Sequence, residues 1–81
     1  MPARSPYAAA LGRAVQAIRA EHGISQMQLS NSTGLMQSWI SHIEHGRRNP
    51  TWSNIVRLAT GLGVSVAELA ARAEACASKS S

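Results

Sequence analysis

Between Gln37 and His45 the chain reads QSWISHIEH. At about 100° per residue on a helix, Gln37, Ser38, Ser41, His42 and His45 fall in one arc. Met36, Trp39, Ile40, Ile43 and Glu44 fall in the opposite one. The first arc is wholly polar yet holds no carboxylate, lysine or arginine, whereas a merely solvated face more often mixes Glu with Lys. Neutral donors and acceptors in such an array suit the base edges of the DNA major groove, where a glutamine bonds adenine in bidentate fashion. Other chemistries fit less well. His42 and His45 lie one turn apart, but a zinc site takes four ligands. Glu44 belongs to the other arc and the single Cys76 is remote in sequence, so neither a metal nor a cofactor is expected. No Ser or Cys nucleophile is grouped with a histidine and a carboxylate, and there is no glycine-rich phosphate loop. Catalysis is not expected.

Such an array needs a helix held firmly at both ends, and the flanking residues predict one. Ser5 as N-cap and Pro6 at the first helical position open a first helix through Leu11, Val15 and Ile18, which Gly23 closes. Ser25 with Gln28 is a capping-box pattern that starts a second helix, ended near Thr33 by Gly34. A third covers about 37–45 and stops at Gly46. After the basic loop RRNPT, Pro50 disfavours helix at Asn49, and Thr51 caps a fourth helix through Ile55, Val56, Leu58 and Leu62. Gly61 and Gly63 are expected to close it. Ser65 with Glu68 repeats the capping box before a fifth helix through Val66, Leu69 and Ala73. No segment alternates with period two for long enough to form a strand. The expected fold class is all-α, a five-helix bundle over 6–77, with residues 1–5 and 78–81 as flexible ends.

The second and third helices are too short to be stable alone, so they must pack. Leu29, Leu35, Ile40 and Ile43 are the natural contacts, and Ser30 is small enough for a close crossing. Gly34 can take the positive φ that a sharp turn needs. Together they describe a helix-turn-helix unit over about 25–46. Composition agrees. The chain has 81 residues, enough for one small domain. A net charge of +4 and a pI near 10.7 favour a polyanion or acidic surface as partner. Only 15% of residues are charged and none form a basic run, which weakens that signal. Phe is absent, so Leu, Ile, Val, Ala and Met must supply the core. One cysteine fits a reducing compartment. No stretch approaches the roughly 20 apolar residues of a membrane span, so no membrane partner and a cytoplasmic location are expected.

Ser25-Gln26-x-x-Leu29, Gly34, Ile40-Ser41-x-Ile43-Glu44-x-Gly46 and Asn49-Pro50-Thr51 resemble the Cro/C1-type phage-repressor helix-turn-helix domains, also called the xenobiotic-response-element family. The resemblance covers about 11–69. It implies a lambda-repressor-like DNA-binding fold whose recognition helix is Gln37 to His45. Gln37, Ser38 and His42 then match the base-reading positions, while Ser41 and His45 are backbone or peripheral contacts. Gln26 is implied to lie beside Gln37, to contact a phosphate and to steady the reading side chain. Arg47 and Arg48 fall where the family touches the sugar–phosphate backbone. Thr51 and Asn54 add donors at a positive helix end. The resemblance also pairs Glu44 with Arg19, a structural pair that spares the apolar arc an uncompensated carboxylate. Two departures stand out. Met36 replaces the usual Ser or Thr N-cap, a loss of about 1 kcal/mol. Ser30 replaces Ala, and its hydroxyl needs a partner such as an i−4 carbonyl.

These residues predict a transcriptional regulator, a repressor, that binds double-stranded operator DNA as a homodimer. Leu62, Val64, Val66, Leu69 and Ala70 of the C-terminal helices are the expected dimer surface, with closure of the core as the other use for them. Trp52 is expected to pack in the core or under the basic loop, with part of a dimer surface as the other use for it. Arg13 and Arg57 are open between peripheral contact and solubility. An antitoxin that binds a toxin protein as well as its own operator is the alternative. An interaction module without DNA binding fits poorly with an intact polar arc beside Arg47 and Arg48.

Overall fold

The computed structural model describes residues 6–80, with side chains described as far as residue 77. Five helices follow in order: α1 (Pro6–Glu21), α2 (Gln26–Thr33), α3 (Gln37–Glu44), α4 (Trp52–Leu62) and α5 (Val66–Ser80). No strand occurs among the described residues. The expected cap at Ser5 and the flexible 1–5 lie outside them. α1 packs along α5 and also supports α3, while α2 bridges α3 and α4. Every helix contributes to one core: Val15, Ile18, Leu29, Ile40, Ile43, Leu58, Leu62 and Leu69 are each no more than 1% exposed. Burying each of these side chains is worth about 1.5–3 kcal/mol, which is what lets the two short central helices persist.

The helix boundaries follow from local chemistry. The Ser25 hydroxyl accepts from Gln28 N (3.0 Å) while the Gln28 amide oxygen accepts from Ser25 N (2.8 Å), the reciprocal box expected there. Gly34, at φ 76°, ends α2 with its N–H on the Ser30 carbonyl. The turn is then tied by side chains. Thr33 Oγ1 donates to Leu29 O (2.7 Å) and accepts from Leu35 N (3.1 Å). Ser30 Oγ donates forward to Leu35 O rather than back to an i−4 carbonyl. So the serine that departs from the family pattern binds the turn and leaves the α2 ladder alone.

Close approach fixes where α3 sits. A Cβ at Gly12 of α1 would lie 2.2 Å from Ile43 O and 2.7 Å from Glu44 O, so only glycine lets the last turn of α3 touch the α1 backbone. A Cβ at Gly46, which has φ 72°, would lie 2.9 Å from Ala9 Cα of the same helix.

Four expectations need correction. Gly61 does not close α4 but lies inside it, where a Cβ would meet Thr33 Cγ2 at 2.6 Å and Leu29 Cδ1 at 2.9 Å. Its role is the close α2–α4 crossing, and Gly63 alone makes the left-handed stop. α5 continues to Ser80 instead of ending near residue 77, because Ala, Ser and Lys bring neither Gly nor Pro to interrupt it. Trp52 is 67% exposed and so is not buried beneath the loop. Of the expected dimer row, Leu62 and Leu69 are fully buried and close the core.

Candidate nucleic-acid interface

α3 is amphipathic in the way its sequence predicts. Ile40, Ile43 and Glu44 are buried and Trp39 is half-buried against the core. Gln37, Ser38 and His45 are exposed, with Ser41 and His42 half-buried on the same side. Met36 breaks the pattern: it is 72% exposed and serves as N-cap with no side-chain hydrogen bond. Its backbone is extended there, which takes the side chain off the apolar seam.

The end of α3 is anchored by one carboxylate. Glu44, 6% exposed, accepts from Arg19 Nε (2.7 Å) and Nη2 (3.1 Å), and from Gln26 Nε2 (2.9 Å). Arg19 also donates to Ile24 O (3.0 Å). A buried charge is tolerable only when paired and hydrogen-bonded, and three donors meet that requirement here. The same bonds join the end of α1, the α1–α2 connection, the first turn of α2 and the last turn of α3. The Arg19–Glu44 pair therefore stands where the resemblance put it. Gln26 Nε2 gives its bond to Glu44, a partner that the resemblance did not imply. Nothing in the local spacing of the sequence signals this bond, because its partners lie in different helices.

His45 folds back on its own helix, with Nδ1 2.7 Å from Ser41 O. A carbonyl only accepts, so Nδ1 carries the proton and a neutral ring leaves Nε2 as an acceptor. Beyond His45 the chain turns through Gly46, with Arg47 N on His42 O (2.9 Å), and leads into exposed Arg47, Arg48 and Asn49. Thr51 caps α4 by accepting from Asn54 N (3.3 Å), and Asn54 is half-buried. The first N–H groups of α4 have no partner within the helix, so Thr51 and the start of α4 face outward with donors to spare. With Glu44 neutralised by Arg19, the arginine pair dominates the charge around α3. Among the described residues no three His, Cys, Asp or Glu side chains come together as a metal site would require.

Two further contacts escape sequence reading. His22 Nδ1 bonds Leu62 O (2.8 Å), joining the ends of α1 and α4. Arg72 of α5 pairs with Glu21 through Nη1–Oε1 (3.0 Å) and Nη2–Oε2 (2.5 Å). That guanidinium, chiefly through its hydrogen bonds, holds the Glu21 carboxyl below the usual carboxylate range.

A short helix with a neutral polar face, crossed by a second short helix and followed by a basic loop, defines a helix-turn-helix module. The family model for the helix-turn-helix domain matches residues 10–71, and the chain belongs to this family, in its Cro/C1 type. An HTH-type transcriptional regulator of Sinorhizobium fredii, y4dJ, is 42% identical over 52 residues, covering 64% of this chain and 68% of that protein. The immunity repressor protein of Bacillus phage phi105 is 34% identical over 59 residues, 73% of this chain but only 41% of the repressor. Among solved structures, the restriction-modification controller protein C.Esp1396I, a tetramer in complex with its natural 35-base-pair operator, superposes with a TM-score of 0.84. It shares 26% identity over 90% of this chain and 96% of its own.

Proposed function

We propose that this chain is a sequence-specific regulator of transcription that binds double-stranded DNA as a homodimer and represses from its operator. α3 enters the major groove, where Gln37, Ser38 and His42 read base edges. Arg47, Arg48, Thr51 and Asn54 hold the sugar–phosphate backbone, with Gln26, Ser41 and His45 at the margin. Phosphate contacts set affinity and register, and base contacts set sequence. No catalytic step and no cofactor belong to this function, and its place is the cytoplasm.

The observation that carries the reading is the neutral polar face of α3, held by the Glu44 anchor and followed directly by two exposed arginines. Repression finds support in the phage immunity repressor among the relatives. A multimeric form finds support in the operator-bound tetramer, and in the small surface one module presents: two half-sites about one helical turn apart supply affinity that one cannot.

The two kinds of contact are separable by experiment. Gln37→Ala should relax preference at particular base pairs, by about 1–3 kcal/mol for a bidentate bond. Arg47→Ala should weaken all sequences alike and reduce the salt slope by about one. Binding titrations on operator and scrambled DNA at several salt concentrations distinguish these outcomes. A uniform loss for Gln37→Ala with a base-specific loss for Arg47→Ala would reverse the assignment.

A further inference from the structure

Among the described residues, Tyr7, Met36 and Trp52 are the most exposed of the large apolar side chains. Tyr7 and Trp52 border an apolar groove between α1, α4 and α5 that Val66, Leu69 and Ala70 also line, on the side of the homodimer contact expected from sequence. Met36 lies elsewhere, at the front of α3, where Met36, Gln37 and Ser38 form one exposed run. We propose that Met36 is a specificity-determining residue. Its thioether side chain packs on the C5-methyl group of a pyrimidine, thymine or 5-methylcytosine, at the base pair read by Gln37 or the pair beside it. This role rests on the reading above, with α3 in the major groove.

Three observations favour this role. First, α2, α4 and α5 open on hydroxyls that accept from the backbone N–H three residues on: Ser25 from Gln28 (3.0 Å), Thr51 from Asn54 (3.3 Å) and Ser65 from Glu68 (3.0 Å). α3, the helix on which reading depends, opens on a side chain that accepts nothing. Capping is given up at this one start, and an apolar group stands in its place. Second, Met36 takes no share in the core. Leu35 and Trp39 on either side pack against it, whereas the extended backbone at Met36 (φ −65°, ψ 141°) leaves its side chain in solvent. Third, the N-terminal residues of a recognition helix are the ones that meet base edges. The apolar group on those edges is the pyrimidine C5-methyl, with which a hydroxyl or carboxamide makes no polar bond. An unbranched, polarisable thioether adapts to such a surface. Consecutive Cα atoms lie about 3.8 Å apart and stacked base pairs about 3.4 Å. The neighbour of Gln37 in the chain therefore reaches the same base pair or the next.

The test uses duplexes that the wild-type protein selects from a random library, with uracil in place of each thymine in turn. That exchange removes the C5-methyl and leaves the pairing edge unchanged. At a thymine within one base pair of the position where Gln37→Ala loses preference, uracil should weaken wild-type binding about fourfold, and more than about tenfold when placed in both halves of the site. Met36→Ser, whose hydroxyl supplies the missing cap, should bind the thymine and uracil duplexes alike. Met36→Leu, still apolar, should keep the difference. Cytosine and 5-methylcytosine compared at the same position separate the two sources of the methyl. Tighter wild-type binding to 5-methylcytosine, absent in Met36→Ser, is the expected result, while equal binding would uphold the contact for thymine alone. Uracil tolerated at every thymine there, or a uracil penalty that Met36→Ser keeps in full, would overturn the role of Met36 while Gln37→Ala still loses its preference. If Gln37→Ala loses none, α3 is not the reader, and the role of Met36 falls with it.

Discussion

Glu44 shows most directly how single residues support function here. Its carboxylate reads no base, yet three donors from two other helices converge on it and fix the angle at which α3 leaves the body of the molecule. Arg19→Met would leave that charge buried with Gln26 alone. The expected cost is about 3–5 kcal/mol, which approaches the whole stability of a domain of this size. Thermal denaturation should show the variant largely unfolded at room temperature, and an unchanged Tm would refute the anchor. The exposed Glu21–Arg72 pair makes the contrasting case. Its lowered carboxyl stabilises the fold above the ordinary carboxylate range and loses that effect as pH falls through the lowered value. Exposure keeps the effect small. Glu21→Gln should therefore melt slightly below the wild type at neutral pH and together with it in strong acid. The polar arc of α3 was legible because it is a local pattern. The Gln26–Glu44 bond was not, because two helices must already be packed before those atoms meet.

At the scale of the element, α3 is a helix with a firm end and a weak beginning. Gly12 and Gly46 let its last turn meet α1 closely, while its start rests on Met36, whose side chain caps nothing. Met36→Ser should supply the missing acceptor and stabilise the domain by about 1 kcal/mol, a rise of roughly 4–8 °C in Tm for a chain this small. A fall in Tm would mean that Met36 contributes contacts beyond those of an exposed cap. The caps at Ser25, Thr51 and Ser65 could be read in advance because a hydroxyl three residues before its N–H partner is a short-range relation. Gly61 misled for the opposite reason. A glycine near a helix end signals a stop, and only the position of Thr33 and Leu29 reveals that this one makes room for α2. Ser30 was half legible: its size predicted the crossing, but its bond to Leu35 depended on the path of the turn.

At the scale of the whole molecule, the five-helix architecture followed from periodicity and caps, whereas the uncovered surface did not. Leu62 and Leu69 look as available as Trp52 in sequence, and tertiary packing alone decides which of them reaches solvent. The outcome is a small basic body that presents a neutral reading face and an arginine pair. An apolar groove adjoins the same loop. The central claim is that this body reads DNA sequence as a two-fold pair through α3. Selection of bound duplexes from a random library by the wild type and by Gln37→Ala tests it in one measurement. The wild type should enrich an inverted repeat with half-site centres about one helical turn apart, and Gln37→Ala should lose preference at the same position of both halves. Enrichment of no motif, or a motif that Gln37→Ala leaves unaltered, would contradict it.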